Sequence, residues 1–372
     1  MMKSSSNPSP VPAARVMILS DAVPQRNGVG TYYHDLMEYL QAELGHVEMI
    51  PARANCIFKK NKVSIPLPGD HSQNLYLPNV LPILRQIQKE KPDLLIAPTL
   101  GPFALLARLV SRFTRRPLIF GYHTSLNKLA HLYWQGGFGD LSAWYLKRAS
   151  RVMFRQADRV VVNTEAMRQE ALSLGARSVH VMGTTIARPL TLQPLSPFDG
   201  HIRTVLFGGR LAKEKRVMRV AEAAAELPEL QFRIAGDGPL MGELQAFASS
   251  TSNLTLTGWL SREKLLQEID RADLVVLPSA HESFGSIALE VMARGRLMLV
   301  SEHCGILQWP ELAEGLCVIR EGETVADAVR RLQKMPPEEA VDLARRAKQA
   351  TLNMNEQTLR GWKQLIGEVC AA

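Results

Sequence analysis

Short unbroken apolar runs alternate along the chain with longer segments in which apolar positions recur every three or four residues. The runs predict β-strands near 15–20, 47–50, 94–97, 118–122, 159–162 and 179–182. The spaced pattern predicts helices near 31–44, 80–90, 104–113, 141–156 and 166–174. A strand without polar alternation is covered on both faces, and strands separated by helices are joined by crossovers. The expected unit is a parallel sheet between two layers of helix.

The alternation stops at 188–200, where Pro189, Pro194, Pro197 and Gly200 fall without periodicity, as in an interdomain linker. It restarts with strands near 204–207, 231–235, 254–257, 274–277, 297–301 and 316–319, and closes on helical spacing from 336 to 369. The domain reading is a Ser/Pro-rich disordered tail at 1–13, a first α/β domain at 14–187, and the linker at 188–200. A second α/β domain follows at 201–350, then a C-terminal helix at 351–372 expected to pack back on the first domain. Two Rossmann-like units leave a cleft between them, and ligands of open α/β sheets bind beyond the carboxyl ends of the strands.

Composition supports this picture. The chain has 372 residues, 46% hydrophobic and 22% charged, which suits about two globular domains at roughly 150 residues each. Cys56, Cys304, Cys317 and Cys370 lie far apart with no Cys-x-x-Cys pair, so neither a disulfide framework nor a structural zinc site is expected. The first ten residues lack the apolar stretch of a signal peptide, and no 18-residue apolar span occurs, so a cytoplasmic location is expected. Charge is divided unevenly. Residues 1–190 hold 23 Lys+Arg against 12 Asp+Glu, and residues 191–372 hold 21 against 24. An anionic partner is therefore expected for the first half alone.

Five loops after predicted strands carry chemistry that a plain connection does not need. Asn27-Gly28-Val29-Gly30 opens the first helix, and helix starts offer free amides to an anion. His123-Thr124 follows the strand at 118–122. Gly208-Gly209-Arg210 through Lys215 places two cations after a glycine turn, as in a phosphate clamp. Gly236-Asp237-Gly238-Pro239 suits a tight turn or a ligand contact. His281-Glu282-Ser283-Phe284-Gly285-Ser286 leads into a helix bearing Glu290, so that two carboxylates are placed to accept sugar hydroxyls.

Taken in order, these motifs resemble the retaining glycosyltransferases of family 4 over roughly residues 15–366. The opening segment and Tyr122-His123-Thr124 look nearest to a branch containing sulfoquinovosyl- and mannosyl-transferases. The resemblance implies the GT-B fold, two Rossmann-like parallel-sheet domains facing a central cleft. It implies a hexose moved from a nucleotide-diphosphate sugar to a lipid or lipid-linked acceptor, with no metal and no cofactor beyond the donor. By resemblance, Arg210, Lys215, Glu282 and His123 are the catalytic set. Gly28, Gly236, Asp237, Ser283, Phe284, Gly285, Ser286 and Glu290 are the donor-binding set, with Arg210 and Lys215 on the diphosphate and Glu290 on the ribose. The chain departs from the pattern at Arg216, where the family usually has Gly or Asn, at Gly183-Thr184-Thr185-Ile186, and at Leu297. A sugar-nucleotide epimerase and a pyridoxal-phosphate phosphorylase share the scaffold but not this set of cations and carboxylates, and a non-catalytic adaptor is the remaining alternative.

The basic half adds one expectation. Arg112, Arg115 and Arg116 lie on or after an apolar helix, and Lys147, Arg148 and Arg151 lie on another with Trp144 and Phe154. Helices mixing Lys/Arg with large apolar side chains can rest on an anionic membrane, so the expected place is the inner face of the cytoplasmic membrane. No nucleic-acid-binding motif is present, and no nucleic acid partner is expected.

Overall fold

The computed structural model describes residues 14–23, 28–57, 65–67, 70–124, 137–192 and 197–371. The expected tail at 1–13, Asn27 and linker residues 193–196 lie outside the described residues.

The first sheet is formed by β1 (Arg15–Ser20), β2 (His46–Pro51), β5 (Leu94–Ala97), β6 (Leu118–Tyr122), β7 (Arg159–Val162) and β8 (Val179–Val181). Its order is β2-β1-β5-β6-β7-β8, all parallel, and a separate hairpin pairs β3 (Ile65–Leu67) with β4 (Asp70–Leu75). The second sheet is formed by β9 (Thr204–Gly208), β10 (Gln231–Ala235), β11 (Leu254–Gly258), β12 (Leu274–Leu277), β13 (Leu297–Ser301) and β14 (Cys317–Ile319). Its order is β11-β10-β9-β12-β13-β14, again parallel. Strands β5, β6, β12 and β13 are buried along their whole length, because helices cover both faces.

Over one face of the first sheet lie α2 (Val80–Glu90), α3 (Pro102–Thr114) and α4 (Gly137–Gln156), with Ile83, Ile87, Phe103, Leu106, Val110 and Phe154 in a common core. Over the other lies α1 (Gly28–Leu44), whose Tyr32, Tyr33, Leu36 and Leu40 pack against residues from the far end of the chain. Those residues belong to a single helix, Pro337–Ala371, that serves both domains. Its Ala344, Ala347 and Met354 join the cores of the second domain, while Trp362, Leu365, Ile366 and Val369 join the core of the first. Trp362 Nε1 donates to the Tyr32 hydroxyl at 2.6 Å, and Lys363 pairs with Glu43 at 2.7 Å.

Several elements differ from the sequence reading: α3 and α4 start before the expected 104 and 141, and the hairpin of β3 and β4 was not expected. The first helix starts at Gly28 instead of 31, so its opening turn is the glycine motif itself. The helical spacing read from 336 to 369 corresponds to one helix, Pro337–Ala371, so the domain cut at 351 falls inside a single element. The segment read as a loop linker carries a short helix, Arg188–Leu192. Pro189 sits in its first turn, where the missing amide has no helical partner to lose.

Strand order reverses between β1 and β5 in one sheet and between β9 and β12 in the other. The loops leaving these strands are the ones that carry Asp21 and Gly28, Pro98 to Gly101, Arg210 to Lys215, and Glu282 to Ser286. Reversal points leave a crevice at the carboxyl edge, so the candidate residues come to the place where a ligand fits.

Because Trp362 is fully buried in the core shared by the two ends of the chain, Trp362→Ala is expected to lower the unfolding free energy by about 3–5 kcal/mol. Chemical denaturation of both proteins checks this, and a loss under about 1 kcal/mol would show that the helix contributes little to the first domain.

Candidate active site

The second domain supplies the charged part of the site. After β9 the chain turns through Gly209 and enters a 3-10 turn, Lys213–Lys215. Arg210 is held by Glu214, and Lys215 by Glu282 from the loop after β12. The Glu214 carbonyl accepts the Ala280 amide at 2.7 Å, which ties the two loops together. Lys215 and Glu282 remain 21% and 16% exposed, so both reach the cleft. Arg216 has φ 50°, a left-handed conformation that Gly or Asn enters at lower cost. That explains why the related pattern has those residues at this position.

The loop after β12 is stitched to the segment after β13. Glu282 and Phe284 carbonyls accept the Gly305 and Ile306 amides, both at 2.9 Å. The Phe284 ring is buried in the core, so this residue offers the cleft only its backbone. Gly285 takes φ 94° and launches the helix Ser286–Ala293, whose first amides have no partner within the helix. Gly236 has a packing duty: a Cβ there would stand 1.8 Å from the Gly209 carbonyl oxygen. Asp237 is exposed and its Oδ1 accepts the Gly238 amide at 2.8 Å, while its carbonyl accepts the Leu211 amide at 2.9 Å. The Gly236–Gly238 turn thus braces the Arg210 loop.

The first domain closes the site from the other side. A Cβ on Gly28 would lie 3.5 Å from Ser286 Oγ, so the starts of the helices Gly28–Leu44 and Ser286–Ala293 face each other. The start of α3 is already occupied. Asp21 accepts the Phe103 and Ala104 amides at 2.9 and 3.0 Å, and burial pushes its carboxyl up to about 7 against the pull of those amides.

His123 stands at the end of β6, buried, with Asn163 on Nδ1 and the Tyr33 hydroxyl 2.9 Å from Nε2. Asn163 Oδ1 can only accept, so Nδ1 carries the proton and Nε2 accepts from Tyr33. Burial pushes the ring down to about 4, with Asn163 opposing. The ring is thus held at both nitrogens, and burial favours its neutral form near pH 7.

Several contributors were not singled out in the sequence. Arg262, at the start of the helix Arg262–Arg271, forks onto Asp35 of α1 at 2.5 and 2.7 Å and onto Glu290 at 2.9 Å. Burial opposes the Arg262 charge, but the two carboxylates outweigh it and hold the guanidinium more firmly protonated than usual. Burial also pushes both carboxyls up, with Arg262 pulling against it in each. Trp309 Nε1 donates to the Asn163 carbonyl at 2.8 Å, a second link between the domains. Asp35, among Tyr32, Leu36 and Leu40, reads in the sequence as an ordinary polar position of an amphipathic helix. Ser261-Arg262-Glu263 reads as an ordinary capped helix start.

The basic residues lie away from this cleft chemistry. Arg112 and Arg115 are exposed and Arg116 is half-buried, beside Phe113 at 81% exposure and Leu109. On α4, which hydrogen-bonds α3 through Gln156 and Arg108, Lys147, Arg148 and Arg151 are exposed with Trp144, and Arg148 lies 5.7 Å from the Trp144 ring centre. Phe154, read as part of this face, is fully buried under the sheet.

Two Rossmann-like sheets facing each other in this way define the GT-B class. The chain is similar in fold to sucrose-phosphate synthase from Thermosynechococcus elongatus, with TM-score 0.69, 19% identity, and 96% of this chain and 99% of that one covered. It is similarly related to Anabaena HepE, solved with UDP and glucose, at TM-score 0.67, 16% identity, and coverage of 94% and 100%. The family description Glycosyltransferase Family 4 matches residues 26–186, and Glycosyl transferases group 1 matches residues 195–350. The chain belongs to this glycosyltransferase family. Among curated relatives it is 31% identical over 260 residues to the alpha-D-kanosaminyltransferase of Streptomyces kanamyceticus, covering 63% of this chain and 66% of that protein. It is 24% identical over 258 residues to the sulfoquinovosyl transferase of Arabidopsis thaliana, covering 65% and 49%. The matched stretches thus span less than two thirds of these relatives' own lengths.

The neutral His123 gives a testable pH dependence. From pH 6.5 down to about 4 the unfolded chain binds a proton at this ring that the native protein refuses, so stability falls as pH falls through that window. The gap corresponds to about 3 kcal/mol. In urea titrations at pH 7 and pH 4, wild type is expected to lose about that much more stability than His123→Asn. Equal losses would contradict the buried neutral ring.

Proposed function

We propose that this protein is a retaining glycosyltransferase that moves a hexosyl group from a nucleoside-diphosphate sugar to a lipid or lipid-linked hydroxyl at a membrane surface. The observation that carries the reading is convergence: two helix starts and two cations meet at the carboxyl edges of both sheets. A diphosphate is the ligand such an arrangement suits, since amides and cations both favour concentrated negative charge. HepE, on the same fold, was solved with UDP and glucose.

In the proposed step the bond between the sugar's anomeric carbon and the phosphate oxygen breaks while the acceptor oxygen bonds to that carbon on the same face. The acceptor proton passes to the departing phosphate, so that no side chain need act as nucleophile. Negative charge grows on the diphosphate as the bond breaks. Arg210, Lys215 and the amides at Gly285 and Ser286 stabilise it more in the transition state than before, which accelerates the step. Glu214 and Glu282 keep the two cations pre-placed on the cleft face. Glu282 and Ser283 lie beside the donor sugar, Glu290 takes the ribose hydroxyls, and Gly28 lets α1 close over the diphosphate. His123 contributes a fixed, neutral wall on the acceptor side.

The acceptor reading draws on the exposed face of α3 and α4. Phe113, Leu109 and Trp144 present apolar surface among Arg112, Arg115, Lys147, Arg148 and Arg151. Such a mixture suits insertion of rings at the headgroup level with cations on anionic lipid. Among the described residues no helix is long and apolar enough to cross a membrane. A GDP-mannose-dependent phosphatidylinositol dimannoside mannosyltransferase of Mycobacterium tuberculosis, 32% identical over 143 residues, is a relative whose name carries a lipid acceptor.

Three measurements test the reading. A thermal-shift screen with UDP-, GDP- and ADP-sugars is expected to find one nucleotide class that raises the unfolding temperature. With that donor, Lys215→Ala is expected to lower turnover by about a hundredfold or more while leaving the fold intact. Unchanged turnover would remove the proposed diphosphate role. In vesicle sedimentation, binding to anionic lipid is expected to weaken with salt, and Lys147→Glu/Arg148→Glu/Arg151→Glu is expected to weaken it by about tenfold or more. Equal binding to neutral vesicles would remove the membrane part of the proposal.

A further inference from the structure

Arg262 is a half-buried cation that belongs to neither the diphosphate clamp nor the acceptor face. Its guanidinium joins three helices. It sits at the start of Arg262–Arg271, donates two hydrogen bonds to Asp35 in the third turn of Gly28–Leu44, and donates one to Glu290 in the second turn of Ser286–Ala293. The last two helices are those whose starts face each other at Gly28 and Ser286. Asp35 is 2% exposed, although it belongs to the domain that holds none of the nucleotide-binding loops of the second sheet. Nothing in the packing of the first domain requires a carboxylate there, since its neighbours Tyr32, Leu36 and Leu40 are core residues.

We propose that Asp35 and Arg262 are positioning residues for the donor: across the domain interface they orient Glu290 for the ribose, so nucleotide recognition depends on a side chain of the opposite domain. This rests on the reading of Glu290 as the ribose carboxylate. Asp35 takes two of the Arg262 hydrogen bonds and leaves one for Glu290, so most of the Glu290 lone pairs stay available to ribose hydroxyls. With Asp35 neutralised, Arg262 is released to fork fully onto Glu290 and competes with the ribose. With Arg262 removed, Asp35 and Glu290 are left as two carboxyls in a partly buried gap with no cation between them. Glu290 then takes up a proton more readily and accepts less well. The charged and titratable groups bearing on the pair are Arg262, His34 and Glu38 around Asp35, and Arg262 and Asp35 around Glu290.

The test compares the affinity of each protein for a nucleoside diphosphate and for its 2′,3′-dideoxy counterpart, using the nucleotide selected by the thermal-shift screen. Calorimetry on the full chain gives the ratio of the two dissociation constants. Wild type is expected to prefer the ribonucleotide by about tenfold or more, as for hydrogen bonds to a charged acceptor. Asp35→Asn, nearly the same shape as wild type, and Arg262→Gln are each expected to reduce that ratio to less than a third of the wild-type value. Loosening of the domains alone would weaken both ligands equally and leave the ratio unchanged, and that result would overturn the proposal. Glu290→Gln separates the two readings. If it abolishes the preference while Asp35→Asn and Arg262→Gln keep it whole, only the positioning role fails. If Glu290→Gln itself keeps the preference, the ribose reading fails and the proposal falls with it. Should Arg262→Gln unfold, the near-isosteric Asp35→Asn decides alone.

Discussion

A guanidinium placed between carboxylates of two domains is a demanding contact, because any change of domain angle leaves a partly buried charge without its partner. Breaking such a pair costs about 3–5 kcal/mol, although forming it adds little net stability over an apolar contact. Arg262 therefore specifies the angle between the domains more than it strengthens their association. The hydrophobic attachment comes from the helix Pro337–Ala371, which buries one end in each domain's core. Attachment and register are supplied by different chemistry, and the edges of both sheets face each other as a result.

Register matters because the site is assembled from short-range donors. A Cβ-sized gap separates Gly28 from Ser286, and each clamp cation is already held by a carboxylate of the same domain. Pre-placed donors avoid the reorganisation that water would need as charge develops on a leaving group. The supports behind these donors reach far: Trp362 touches the Tyr32 hydroxyl, the Tyr33 hydroxyl bonds His123, and Asn163 links His123 to Trp309 of the second domain. A histidine held at both nitrogens serves as a rigid surface, and burial keeps it uncharged.

Much of the architecture could be read from the order of apolar runs. Continuous burial on both sheet faces leaves mostly apolar runs without polar alternation at β5, β6, β12 and β13, and such runs are legible without coordinates. The cleft loops were legible for a different reason: glycines, cations and carboxylates clustered at strand ends where a turn alone needs none of them. Arg262 and Asp35 were not legible, since each lies on an amphipathic helix and is separated from its partner by 227 residues. The same holds for the helix Arg188–Leu192, where a proline that looked like a break sits in a first turn. Phe154 was misassigned to the surface because helical spacing alone does not say which stripe meets the sheet.

The sequence by itself determined what is local: the strands of the two parallel sheets, which loops carry anion-binding residue types, and the uneven division of charge between the halves. Those features depend on neighbours within a few positions and on side-chain chemistry. Tertiary structure alone decided which charges are paired, that His123 is neutral, and that a carboxylate of the first domain reaches the second. These depend on burial and on contacts between distant segments, and a linear pattern carries neither.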